Sequence, residues 1–155
     1  MEILASFGGK LFPIKPKRPE IFGHKAYPTI EALPETPDAV VISVPQEHVA
    51  DLVRRCAARG IGGAIVYSSG FAELGTEERT AAQRELAEVA QSTGMRIICP
   101  NCVGIINFAS KVGMHFMPKF NEMPIIAGRI GLVSQSGGLG YTNIPALQTG
   151  IGFFQ

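Results

Sequence analysis

Net charge is nearly missing from this sequence: 14 basic and 13 acidic side chains leave +1, and charged residues make up only 17% of the chain. A near-neutral chain has no field to draw it to nucleic acid or to an anionic membrane, so neither partner is expected. The basic stretch of Lys10, Lys15, Lys17, Arg18 and Lys25 is only a local excess. Cysteine is scarce and odd in number, at Cys56, Cys99 and Cys102, and the start Met1-Glu2-Ile3-Leu4 lacks the basic and long apolar stretches of a secretory signal. A disulfide framework is therefore not expected, and a reduced, cytoplasmic protein is. No apolar run reaches the ~20 residues of a membrane helix before Gly, Pro or charge breaks it. Neither G-x-x-x-x-G-K-[ST] nor G-x-G-x-x-G occurs, and there is no internal repeat or low-complexity tract.

What is present is apolar patterning: 46% of the 155 residues are hydrophobic, which excludes disorder and collagen-like repetition. A chain of this length withdraws roughly 68–70% of its unfolded surface from water and forms a core without disulfides or metal. Residues 10–14 make a short apolar run that ends among Pro13 and Pro16, predicting a strand, and residues 22–33 read as an irregular connection. Residues 38–44 are a continuous apolar run stopped by Pro45, as in a strand buried on both faces. Val49, Leu52, Val53, Cys56 and Ala57 then recur at helical spacing up to Gly60, which places Cys56 toward the core. Residues 63–67 repeat the buried-strand pattern. Residues 76–93 predict a second helix with Ala82, Leu86, Val89 and Ala90 on one face, and residues 95–98 another strand. Strand and helix alternate, with polar or glycine-rich residues after each strand, which predicts an α/β fold with a doubly wound parallel sheet. Residues 107–127 look less regular. Beyond them, a strand at 129–134, the turn Gln135-Ser136-Gly137-Gly138, a helix over about 139–148 and a strand starting at 151–155 predict a second domain. The boundary falls near residues 118–128, giving domains at 1–120 and 128–155.

Chemistry concentrates at strand ends. A helix starting at Ser136-Gly137-Gly138 aims unpaired N–H groups and a positive dipole end past the strand, and the glycines let an anion approach. The same residues equally describe an ordinary turn with a serine N-cap. Ser68-Ser69-Gly70 follows a strand at the edge where open α/β sheets bind ligands, and Lys15 and Lys17 follow another; a solvated edge reads the same way. Cys99 and Cys102 form a C-x-x-C, but no second pair or paired histidines completes a metal site. His24, His48 and His115 are too scattered to form a triad or a ligand set, so each is expected to be a surface or packing residue.

Five motifs in order carry a resemblance: Phe12-Pro13-Ile14-Lys15-Pro16-Lys17, Val41-Ile42-Ser43-Val44-Pro45, Ser69-Gly70-Phe71-Ala72-Glu73, Pro100-Asn101-Cys102-Val103-Gly104, and Gly131-Leu132-Val133-Ser134-Gln135-Ser136-Gly137-Gly138-Leu139-Gly140. Together they resemble the NDP-forming acyl-CoA synthetases, relatives of the succinyl-CoA synthetase alpha subunit. The resemblance implies a Rossmann-like CoA-binding domain followed by the start of a flavodoxin-like ligase domain. It further implies a reaction of a small carboxylic acid, CoA and ATP to acyl-CoA, ADP and phosphate through a phosphohistidine. By the same resemblance, Lys17, Ser68, Ser69 and Gly70 match CoA-contacting positions; Asn101, Cys102, Val103, Ser136, Gly137 and Gly138 match the phosphate site; and Tyr141 matches a substrate-side tyrosine. ATP or ADP, Mg and an ATP-grasp subunit or domain belong to the complete enzyme.

The sequence departs from the family pattern in several places. The family's first strand and glycine-rich loop are expected ahead of Met1 and its phosphohistidine beyond Gln155, so the chain alone is expected to bind CoA weakly and to lack turnover. Pro145 falls within the expected last helix, where proline shortens or kinks it, and Cys99 stands where the family usually has glycine. A non-catalytic CoA-binding or interaction module completed by a partner chain is the competing expectation.

Overall fold

Short apolar runs alternating with amphipathic helices are buried together by parallel pairing of the runs. The computed structural model of the chain, which describes residues 8–98, 100–110, 112–116 and 126–155, has this arrangement within Lys10–Cys102, one of two compact units. A small antiparallel pair, β1 (Glu20–Ile21) and β2 (His24–Lys25), precedes a parallel sheet of β3 (Ala39–Ile42), β4 (Gly63–Val66) and β5 (Arg96–Ile98) in that spatial order. Ala39 lies opposite Gly63, and Ile65 opposite Ile98. Only the central β4 is buried on both faces, through consecutive Ala64, Ile65 and Val66; Ala39 and Ile98, on the flanking strands, are exposed.

Helix α1 (Val49–Ala58) buries Val49, Val53 and Cys56, the stripe that the apolar spacing predicts. Helix α2 (Glu77–Thr93) buries Leu86 and Val89. Thr76 caps α2 by accepting the Arg79 N–H at 3.3 Å, Glu77 and Glu78 suit the positive end of its dipole, and Gly94 ends it in the left-handed conformation at φ 74°. The two helices pack side by side and are joined by an Arg54–Glu85 ion pair. Their buried faces join Ile30, Leu33, Ile42, Ile61, Val66, Phe71 and Met95 in one core.

Three expectations for this unit are corrected. The run at 38–44, expected to be a strand buried on both faces, forms β3 with only Ile42 buried and Ala39 exposed, at the edge of the sheet among the described residues. Residues 10–14 form no strand: Ile14 makes a single bridge to Tyr27, flanked by Lys15 N–H to Tyr27 O and Tyr27 N–H to Pro13 O, each 2.9 Å. Pro13 and Pro16 have no N–H with which to extend a ladder, although Phe12 and Ile14 still pack on the core. The connection expected to be irregular from residue 22 begins with the turn and second strand of the β1–β2 hairpin, turned by Phe22 (φ 49°) and Gly23 (φ 77°). Positive φ at both turn positions matches the right-handed twist of the flanking strands, at the expense of placing a phenylalanine where glycine or asparagine is usual.

The second unit holds Val103–Gln155. Part of its expected irregular stretch is a hairpin of β6 (Gly104–Asn107) and β7 (Val112–His115), with Gly104 opposite His115. Gly104 has φ 118°, and a Cβ there would press into the Met114 carbonyl, so this pairing requires glycine. Strand β8 (Ala127–Ile130) lies ahead of the expected 129–134, and the strand expected at 151–155 is reduced to bridges from Phe153 to Ala127 and Ile130. The expected helix over 139–148 is instead α3 (Gly137–Thr142), followed by a 3-10 turn over Ile144–Thr149. Pro145 is the reason: it supplies no N–H for an α-helical bond, and its ring crowds the carbonyl four residues back. Phe108, Leu147 and Phe153 form this unit's own core. Residues 1–6, whose sequence reads as a short helix-like stretch, Cys99, and most of the expected boundary at 118–128 lie outside the described residues.

Candidate functional site

In a parallel sheet every strand ends at the same edge, so the loops after β3, β4 and β5 gather there. Ser68 ties the first two: its hydroxyl donates to Val44 O at 2.6 Å and accepts the Val44 N–H at 3.2 Å. The third is tied by Asn101, whose N–H reaches Ser68 O at 3.0 Å from a left-handed backbone (φ 57°). Cys102 Sγ donates to Val66 O at 3.4 Å. Burial pushes the Tyr67 phenol above its usual range, with Cys102 adding to the shift.

The turn after β4 is held from beneath by the buried Phe71 and from outside by Glu73. Glu73 Oε1 accepts the Gly70 N–H at 2.6 Å and its Oε2 the Phe71 N–H at 3.0 Å, while Gln83 accepts from Ala72 N–H at 3.3 Å. Partial burial pushes the Glu73 carboxyl up, but the two backbone donors and nearby Arg79 outweigh it and leave the group below its ordinary range. Arg79 Nη1 donates to Gly70 O at 3.3 Å and to Gln46 Oε1, joining the loop after β4 to the one after β3. Gly70 has φ 99°, and a Cβ on it would meet Gln46 Cβ at 3.4 Å.

Ser68, Ser69, Gly70, Asn101 and Cys102 thus share one sheet edge, with the Ser68 hydroxyl engaged in joining loops and the exposed Ser69 hydroxyl making no hydrogen bond among the described residues. Lys15 and Lys17 are exposed just after Ile14. Gln46, Glu73 and Arg79 are not among the site residues expected from sequence. Glu73 was detectable as an acid two and three residues past two turn N–H groups; Arg79 and Gln46 come together only in three dimensions.

In the second unit, Ser134 Oγ donates to Ser136 O at 2.8 Å, and Ser136 Oγ accepts the Leu139 N–H at 3.3 Å, which is the geometry of a serine cap. A Cβ on Gly137 would collide with the Val103 side chain, so Val103 packs directly on the start of α3, the helix that also contains Gly138 and Tyr141. Of the histidines, His115 is buried in β7, where burial pushes its pKa down; His24 is half-buried and His48 exposed. Among the described residues no three His, Cys, Asp or Glu side chains come together to hold a metal ion, and no helix is long and apolar enough to cross a membrane.

Residues 1–107 match the family model described as a CoA binding domain. This chain belongs to the CoA-binding domain family. Its parallel sheet and helices match CoA-binding Rossmann-like structures. The apo form of a dinucleotide forming acetyl-coenzyme A synthetase 1 from Ca. Korarchaeum cryptofilum superposes with TM-score 0.85 at 35% identity, over 99% of this chain and 32% of that one. The same enzyme in complex with phosphate and ADP gives TM-score 0.84. Among curated relatives, a trans-feruloyl-CoA synthase from an unknown prokaryotic organism is 40% identical, over 91% of this chain and 20% of its own length. The alpha subunit of an ADP-forming acetate–CoA ligase from Pyrococcus furiosus is 36% identical, over 86% and 28%. A 4-hydroxybutyrate–CoA ligase from Nitrosopumilus maritimus is 32% identical, over 97% and 21%. The chain therefore spans between 20% and 28% of the length of these curated relatives.

Proposed function

We propose that this chain is the CoA-binding part of a cytoplasmic ligase that converts a small carboxylic acid, CoA and ATP to acyl-CoA, ADP and phosphate. The observation that carries the reading is the set of hydrogen bonds joining the loops after β3, β4 and β5 at the carboxyl edge. Such an edge presents backbone and small hydroxyls to a ligand without needing to be ordered first. In this reading Lys17, Ser68, Ser69 and Gly70 contact CoA. Asn101 and Cys102 on the sheet unit have phosphate-contacting roles, as do Val103, Ser136, Gly137 and Gly138 on the other, and Tyr141 lies on the substrate side. Phosphate transfer through a histidine, ATP and Mg belong to the nucleotide-handling part of the complete enzyme, on an ATP-grasp domain or subunit. The described residues here bring no metal-ligand set together, so no step is assigned to Mg on this chain.

Calorimetric titration of the chain with CoA, ATP and NAD tests the reading: CoA alone is expected to bind. Lys17→Ala is expected to weaken CoA about tenfold, the loss of one charge-assisted contact. Binding of NAD in preference to CoA would overturn the assignment, and equal CoA affinity in Lys17→Ala would remove Lys17 from the site.

A further inference from the structure

We propose that Arg79 is a phosphate-contacting residue of the CoA site, a reading that rests on the CoA assignment above. On helices α1 and α2, Arg54, Arg55 and Arg84 are ion-paired with Glu85, Glu31 and Glu77. Arg59, just past α1, closes on the backbone carbonyls of Glu31, Leu33 and Glu35. Arg79 differs from all of them: among the described residues it has no ion-pair partner and is held by two neutral acceptors, Gly70 O and Gln46 Oε1. The adjacent carboxylate, Glu73, is committed to the Gly70 and Phe71 N–H groups.

Both anchors of Arg79 stand at the carboxyl edge of the sheet, and both are taken by Nη1. The Nε and Nη2 donors make no hydrogen bond among the described residues, and the side chain is half-buried. The result is a guanidinium with its orientation already fixed, its charge not directly paired and a donor pair free, beside the turn of Ser68, Ser69 and Gly70. A guanidinium fork of this kind matches two phosphate oxygens, and holding it in place beforehand reduces the ordering cost of binding. CoA brings a diphosphate and a 3′-phosphate. The aliphatic stem of a neutral ligand would leave those donors unused.

The experiment is CoA titration of the 155-residue chain against Arg79→Met and Arg79→Lys at low salt and at 1 M NaCl, with melting temperatures measured in parallel. Arg79→Met is expected to bind CoA at least about tenfold more weakly at low salt, and that gap is expected to shrink at 1 M NaCl, where screening acts within about 3 Å. Arg79→Lys, which keeps the charge and loses the fork, is expected to fall between the two. Should Arg79→Met not fold, Arg79→Lys carries the test by weakening CoA severalfold. Equal CoA affinity of parent and variants overturns the proposal. A loss that is the same at both salt concentrations also overturns it, because it would mean that Arg79 only shapes the Gly70 turn. Absence of CoA binding by the parent would be the failure of the CoA assignment itself, and it is read directly from the parent titration.

Discussion

Single residues in this chain are decided by close approach as much as by chemistry. By sequence Gly137 is a residue expected to let an anion near a helix start; in the structure the requirement for glycine is steric, the Val103 side chain lying where its Cβ would be. Gly137→Ala is therefore expected to destabilise by about 1–3 kcal/mol through overpacking. Adding Val103→Ala is expected to recover most of that loss, which denaturant melts of the single and double variants will show as non-additivity. Cys56 is decided by burial: it is fully enclosed, and desolvation pushes its thiol up to about 11. Because the thiolate is the reactive form, brief iodoacetamide treatment at neutral pH is expected to leave Cys56 unmodified and to label it fully in denaturant, read by peptide mass.

The elements are stapled by charge at positions that sequence spacing does not relate. Arg55 near the end of α1 grips Glu31 with two bonds, Nε to Oε1 at 2.8 Å and Nη2 to Oε2 at 2.7 Å. Those bonds bring the Glu31 carboxyl from 4.5 down to about 2. A carboxyl lowered in the folded state stabilises at pH values above its unfolded pKa, and that contribution is lost as pH falls through the folded one. The melting temperature of the parent is thus expected to exceed that of Glu31→Gln at pH 6. The gap is expected to close between about pH 4.5 and pH 2, and since the pair is exposed it is expected to be small and salt-sensitive. Pro145 acts at the same scale by dividing the last helical segment. Pro145→Ala restores an N–H and is expected to raise helical circular dichroism.

For the whole molecule, burial is unevenly distributed along the sheet. β4 has a strand on each side and is buried on both faces; among the described residues, β3 and β5 pair on one side only. Opening β4 therefore requires disrupting the entire unit, whereas the flanking strands can fray. Hydrogen exchange is expected to be slowest at Ala64, Ile65 and Val66, faster in β3 and β5, and fastest in the β1–β2 hairpin. Exchange in β3 as slow as in β4 would contradict this ordering.

Local pattern sufficed to place the three strands of the parallel sheet and its two helices, because a stripe at helical spacing and a continuous apolar run each mark an element without reference to distant residues; how deeply each strand is buried depended on its place in the sheet, central for β4 and flanking for β3 and β5. The end of the second helix before Gly94, the interruption at Pro145 and the polar or glycine-rich loops after the strands were legible for the same reason. Tertiary structure decided what depended on a partner far along the chain. Residues 10–14 have strand-like composition but among the described residues bridge only to Tyr27, and the β6–β7 hairpin needs a residue without a Cβ at Gly104, where the Met114 carbonyl lies close. The Ser68 hydroxyl, a binding candidate by sequence, is engaged by Val44, 24 residues away. Arg79 meets Gln46 across 33 residues. Hydrogen bonds over such separations are set by how the strands register and the helices pack, and a one-dimensional pattern contains no term for either.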